Sequence, residues 1–430
     1  MNTEKSAKSD PKKNLESPAT NALSGICDSR RSTLKRGAIA AGSALLGTFN
    51  NFGLSASAAA LSGTALANTP SISKGNSMYA YVGSRTTRER NARGDGISVF
   101  KMHQENGSLE MVQLLTDLVN PSFLAFSANG KFLYTVHGDL SDISAFSVDQ
   151  VSGKLAFINR QSTKGKNPVH LAIDPTGRFV VVSNHLGSSL AVLPLAGDGS
   201  LQEITQLVEL TGPLGPHRIE QKLSKPHFNP FDPSGKFVIV ADKGLDRIFT
   251  FRFENGRLTP SEPAFVVSRE GAGPRHIAFH PNSRFAYVVN ELDSSVTTYR
   301  CNASNGQLTP LQVLPTLPAS FTGNSRASEI EASQDGRFLY VSNRGYDSVM
   351  TFSIDAGSGL LTTIEAQPTA GKTPRFFTIA PGGHFLYALN EDSDTIVTMR
   401  VNQTTGRLAP TGSSVKSGSP VCMVFSPQSI

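Results

Sequence analysis

From about residue 78 onward, short apolar runs alternate with short polar interruptions, and the runs return in a fixed order. The chain aligned on itself gives NPSFLAFSANGKFLYTVH from Asn120, NPVHLAIDPTGRFVVVSN from Asn167, and KPHFNPFDPSGKFVIVAD from Lys225. It continues with GPRHIAFHPNSRFAYVVN from Gly273, RASEIEASQDGRFLYVSN from Arg326 and TPRFFTIAPGGHFLYALN from Thr373, and stops halfway through SPVCMVFSPQSI from Ser419. Successive starts are 47, 58, 48, 53, 47 and 46 residues apart, a period that suits a four-stranded propeller blade.

Inside each unit an apolar run meets a turn of the P-x-G-[RK] kind, and a Phe/Tyr/Val-rich strand follows, ending in Asn, His or Asp; this predicts a hairpin. A third strand (RIFTFRF, SSVTTYR, DSVMTFSI), a turn such as SNGQL or TTGRL, and a polar fourth strand complete the unit. The half-unit at the C-terminus lacks three strands, which MYAYVGS (78–84), GISVFKM (96–102) and SLEMVQLL (108–115) supply. The expectation is an all-β, seven-bladed propeller whose last blade is shared by both ends of the chain, a closure that leaves few free strand edges. A period that runs unbroken along the chain argues against a β-sandwich or a string of small β domains.

The first 67 residues stand apart from this pattern. Ser29-Arg30-Arg31-Ser32-Thr33-Leu34-Lys35 resembles a twin-arginine export signal, with Thr33 where Phe is usual, and is followed by the Ala/Gly-rich run 37–49. That run is shorter than the ~20 apolar residues of a membrane span. Ala65-Leu66-Ala67 reads as a processing site, so residues 68–430 are expected to form one propeller domain. Eight Lys/Arg and four Asp/Glu precede Asn68; the 32 basic and 30 acidic residues beyond it nearly balance. Such a charge makes no electrostatic case for nucleic acid or a membrane surface. The expected partners are the export translocase and a small molecule. Cys27 leaves with the signal, Cys301 and Cys422 fall in different repeats, and no Cys/His spacing suggests zinc.

Because blade strands run up and down, the start of each first strand and the end of each second strand must share one face. That places His170, His227, Arg275, His276, Glu329 and Arg375 beside His137, His185, Asp242, Lys243, Glu291, Arg344 and Glu391 at one channel mouth. The recurring Asn184, Asn290, Asn343 and Asn390 suit strand-end backbone bonding. The two longest connections, 210–225 and 316–326, rise on the same face, where insertions usually serve binding.

At this point the chain resembles the propeller-fold lactonases, the family of bacterial 6-phosphogluconolactonases and fungal carboxymuconate lactonizing enzymes. The resemblance spans residues 78–427 and is carried by YVGS, NPSFLAFS, DPTGRFVVVSN, ADKGLDRIF, GAGPRHIAFHPNSRFAYVVNEL, TLPASFTGNSRASEI, VSNRGYDSV and GKTPRFF. It implies a metal-independent site of His, Arg, Glu and Arg, which by motif fall on His227, Arg275, Glu291 and Arg344. His170, Asn229, Asp242, Lys243, His276, Glu329 and Arg375 are the expected substrate contacts, with no cofactor. One departure stands out: the family commonly reads P-H-x-H where this chain has Pro226-His227-Phe228-Asn229.

Opening a lactone needs a base for water and donors where oxyanion charge develops. Glu291 and His227 both suit the base, and Arg275 and Arg344 suit the oxyanion or an anionic group. The implied substrate is a sugar-derived lactone, phosphorylated or not; export favours the latter, since a phosphorylated gluconolactone is a cytosolic metabolite. The rival reading is an exported, non-catalytic propeller that binds a carbohydrate or protein partner through the same face. Absence of Trp and of a C-x-x-C-H motif disfavours a quinone or haem propeller. Calcium would require carboxylates such as Asp242, Glu291, Glu329 and Glu391 to converge.

Overall fold

The computed structural model describes residues 78–427. The twin-arginine run, the 37–49 segment and the Ala65-Leu66-Ala67 site lie outside the described residues. Within them the chain forms seven four-stranded antiparallel sheets, with one short 3-10 turn at Arg88–Arg90. Strands are lettered A to D from the axis outward.

The shared blade forms as the period predicts. Met78–Ser84 (B) lies between Ile97–Met102 (C) and the C-terminal Pro420–Phe425 (A), with Ala80 opposite Phe425 and Gly83 opposite Cys422. Each A–B hairpin is set by local chemistry. Asp174 Oδ1 accepts from the Arg178 and Phe179 amides at 2.8 and 2.7 Å, and Gly177 takes φ +69°, the region where glycine avoids a Cβ clash.

The core lies in the seams between blades, and one sequence feature of the units explains how they dock. Tyr81, Tyr134, Tyr287, Tyr340 and Tyr387, all on B strands and fully buried, donate to the C–D turn glycine carbonyls of the next blade (Gly153, Gly199, Gly359, Gly406 and Gly107) at 2.7–3.1 Å. The same glycines have positive φ and press on the first aromatic of the neighbouring B strand: a Cβ at Gly359 would sit 2.4 Å from Phe285. The G-x-L turn is therefore a docking surface as well as a bend.

Candidate active site at the channel mouth

Strand register collects the site. Ser84, His137, Asn184, Asp242, Asn290 and Asn390 each pair with the proline that opens their A strand, as Asn343 pairs with Ala327. The next residue of each B strand thus comes from one equivalent position in seven blades: Arg85, Gly138, His185, Lys243, Glu291, Arg344 and Glu391. A β-bulge follows the residue paired with the B-strand end in six A strands, at Pro121, Pro168, Pro226, Pro274, Ala327 and Pro374. Bulges re-aim side chains; here His227 and Arg375 reach the cavity lining, whereas Arg275, expected there from the sequence, does not line the cavity and is turned to Glu291 and the Ser328 carbonyl.

A cavity of about 310 Å³ opens between these elements, lined by His185, His227, Lys243, Glu291, Arg344 and Arg375, and also by Arg85, Arg90, Asn167, Val169, Leu186, Glu220 and Arg326. It is at the small end of ligand-pocket sizes, adequate for one sugar-sized ring.

Glu291 is its electrostatic centre. Its Oε1 is 3.2 Å from Lys243 Nζ and 3.3 Å from Arg344 Nη2, and its Oε2 is 3.3 Å from Arg275 Nε. Burial favours its neutral form, but Lys243, Arg344, Arg275 and Arg375 outweigh it and hold the carboxyl well below its ordinary range, so Glu291 is ionised. Removing charges from water is offset only by close partners of this kind. Arg275 is 3 % exposed, and its Nη1 donates to the Ser328 carbonyl at 2.8 Å.

His227 differs. Burial, then Arg275 and the neighbouring histidines, push its basicity well below that of a free imidazole, so it is neutral, and its Nδ1 has no hydrogen-bond partner. His227 and His185 are the two imidazoles in the cavity lining, ring centroids 5.0 Å apart.

The two long connections supply residues the repeat alone does not reveal. Glu220 accepts from Arg326 Nη1 at 2.8 Å and lies 3.2 Å from Lys243 Nζ, which joins the two connections over Glu291. Burial notwithstanding, Lys243 and Arg326 hold its carboxyl down at about 2.

His170, His276 and Glu329 belong to the next layer down and do not line the cavity. His276 Nδ1 is 2.9 Å from Glu329 Oε1, and burial raises Glu329 and lowers His276, consistent with one proton shared by the pair. With Phe123, Phe228 and Phe376 they close the channel beneath the cavity: ring centroids of His170–Phe228, Phe228–His276 and Phe123–His170 are 3.9, 4.2 and 4.4 Å apart.

Asn229 lies between blades, fully buried. Its Oδ1 accepts from Ser183 and faces His170 Nδ1, while Nδ2 donates to Val181. The departure from P-H-x-H thus falls in a seam. Asp242 accepts from Ser224 and from the Lys225, Gly244 and Leu245 amides, which fixes a turn. Asn290 and Asn390 bond Ser295 and Thr395, and His137 bonds Ser144 and Val119. Asp242, Glu291, Glu329 and Glu391 are each taken by different partners, and among the described residues no three His, Cys, Asp or Glu side chains are grouped as metal ligands would be. Cys301 and Cys422 are free thiols.

Comparison with known proteins agrees with this architecture. The family described as lactonase, 7-bladed β-propeller, matches residues 79–425. A 6-phosphogluconolactonase of Bacillus subtilis is 36 % identical over 350 residues, covering 81 % of this chain and 99 % of the relative. One from Formosa agariphila is 34 % identical over 319 residues, covering 70 % and 86 %. Among solved structures, the Pseudomonas aeruginosa periplasmic gluconolactonase PpgL superposes with a TM-score of 0.76 at 30 % identity, covering 82 % of this chain and all of PpgL.

Proposed function

The chain belongs to the seven-bladed β-propeller lactonases, enzymes of the carboxylic ester hydrolase class, and from that premise we propose that it opens a sugar-derived lactone by adding water at the cavity built around Glu291 and His227. The observation that carries this reading is the neutral His227 imidazole in the lining of one small cavity together with the Arg344 and Arg375 guanidinium groups.

In this mechanism His227 takes the proton from water as its oxygen forms a bond to the lactone carbonyl carbon. Arg344 offers N–H groups to the oxyanion, where prepositioned donors lower the barrier most, and Arg275, outside the cavity lining, acts from behind by holding Glu291. His227 then returns its proton to the ring oxygen as the acyl–oxygen bond breaks, leaving the hydroxy acid. Glu291 is too tightly held by cations to be an effective base near neutral pH, and acts by fixing Arg275, Arg344 and Lys243. The substrate-contact role of Lys243 and Arg375 follows from their place in the lining; His170, His276 and Glu329 act from beneath, by holding the floor.

The test is direct: acid release from glucono-δ-lactone and from its 6-phosphate, followed above the spontaneous rate. Turnover of either supports the reading. Turnover of neither, together with capture of a carbohydrate or protein partner lost on changing the 210–225 connection, would replace it with the binding-propeller alternative.

We propose further that the protein is exported. Support comes from the Arg30-Arg31 signal and from the periplasmic designation of PpgL. Replacing both arginines with lysine should retain the chain in the cytoplasm on fractionation; unchanged distribution would count against export.

A further inference from the structure

The floor beneath the cavity draws on one equivalent position in every blade. Phe123, His170, Phe228, His276, Glu329, Phe376 and Cys422 each stand two residues after the residue paired with the B-strand end. Glu329 is the one acid among them. Packed rings close a channel without a carboxyl, so its presence at this depth calls for a chemical reason.

Glu329 is 5 % exposed. Its Oε1 accepts from the Ile330 amide at 3.1 Å and faces His276 Nδ1 at 2.9 Å, while Oε2 is buried with no partner. Among the described residues its one ion-pairing contact is His276. Arg275 is committed to Glu291 and to the Ser328 carbonyl, and Arg375 leans toward Glu391 at 3.9 Å. A bare carboxylate in such a place costs far more to bury than a neutral acid. Glu291, one layer above, keeps its charge because cations face both its oxygens. Two carboxyls set to opposite states by their surroundings are the usual mark of divided acid–base tasks. His276 joins the two layers, since its ring centroid lies 5.1 Å from that of His227 in the cavity lining.

We propose that Glu329 is a positioning residue that works as a neutral acid: its proton rests on Oε2, its Oε1 accepts from His276 Nδ1–H and the Ile330 amide, and the uncharged pair holds His227 and Arg275 in the arrangement the reaction uses. This rests on the lactonase reading of the cavity and adds a residue to it. Loss of that proton puts a negative charge beneath His227 with no cation of its own. Arg275, the cation that acts on Glu329 most strongly, is then drawn from Glu291. The other charged or titratable groups around Glu329 are His276 on the preceding inner strand, Arg375 on the following one, Glu331 on its own strand and Cys422 on the closing strand; His170 and His227 act on it through His276. Burial is the largest influence and lifts Glu329 to about 8, with Arg275 and Arg375 opposing and Glu331 reinforcing it.

The test follows kcat/KM for glucono-δ-lactone and its 6-phosphate, above the spontaneous rate, from about pH 6 to about 9 in the wild type, Glu329→Gln and Glu329→Ala. Gln carries the shape and neutrality of the protonated acid; Ala carries neither. At about pH 6.5 Glu329→Ala should lose up to roughly 100-fold, and Glu329→Gln should recover most of that loss. The wild type should decline above about pH 8, and Glu329→Gln should not. A decline that persists in Glu329→Gln, or a Gln variant as impaired as the Ala variant, overturns the proposal. NMR of isotope-labelled glutamate carboxyls reads the charge state in the wild type without any substitution: Glu329 protonated at about pH 7 upholds the proposal, and Glu329 ionised there overturns it. If no lactone is turned over, the lactonase reading fails separately. The ring-nitrogen shifts of His227 then decide: moving with the Glu329 titration they uphold the coupling, and unmoved they overturn it.

Discussion

Glu291 and His227 show how one small region holds a carboxyl and an imidazole in different charge states. Glu291 keeps its charge because cations face both oxygens; His227 stays neutral because it is buried beside Arg275. His227→Gln should therefore reduce kcat about 10²- to 10⁴-fold with the fold intact by circular dichroism. Since the proposed mechanism needs the imidazole unprotonated and its titration is displaced below 6.5, wild-type kcat/KM should hold steady through that pH and, on the acid side, decline only in more acidic buffer. Glu291→Gln should damage stability as well as rate, by about 3–5 kcal/mol in denaturant unfolding, because it strands buried cations. At this scale the sequence was informative where a motif marked the residue and silent elsewhere. Arg275, Glu291 and Arg344 stand in recognisable phrases. Arg85 escapes because its B strand opens the described chain, with its A strand more than 300 residues away, so no adjacent copy displays its register. Asn229 misleads in the other direction: one residue beyond the floor layer, it turns into a seam, which no motif can convey.

The blade hairpins and their G-x-L turns are legible from period alone, yet their packing role is not. Gly359 combines φ +74° with a position 2.4 Å from Phe285 for any added Cβ. Gly359→Ala should accordingly cost about 2–5 kcal/mol, from the left-handed backbone and overpacking together. Tyr287→Phe, which removes only the 3.1 Å bond to the Gly359 carbonyl, should cost about 1 kcal/mol; comparable losses for the two would refute steric docking. The long connections are likewise foreseeable as insertions, but that Glu220 and Arg326 join them over Glu291 depends on where their side chains meet. Glu220→Ala should loosen both, raising KM several-fold and increasing protease cleavage within 210–225 and 316–326.

The whole ring carries several buried neutral histidines whose titration burial displaces downward: His137, His170, His185 and His227, with His170 near 3. Below about pH 6.5 the unfolded chain binds protons that the native state refuses, so each contributes up to about 1.4 kcal/mol of lost stability per pH unit. Glu331, raised to about 7 by burial, acts oppositely, since the native state holds its proton, and offsets part of the loss. The melting temperature should therefore drop between pH 7 and 5; a flat profile would show that the histidines take up protons without unfolding. The sequence by itself determined the number of blades, their strands, the shared closing blade and which strand ends share one face, because period-2 burial and turn residues act over a few neighbouring positions and repeat seven times. Only the tertiary structure decided which residues of that face line the cavity, which form its floor and which vanish into seams. Those outcomes depend on bulges and on charges brought together from distant blades, where a change of one position along a strand moves a side chain from solvent to core.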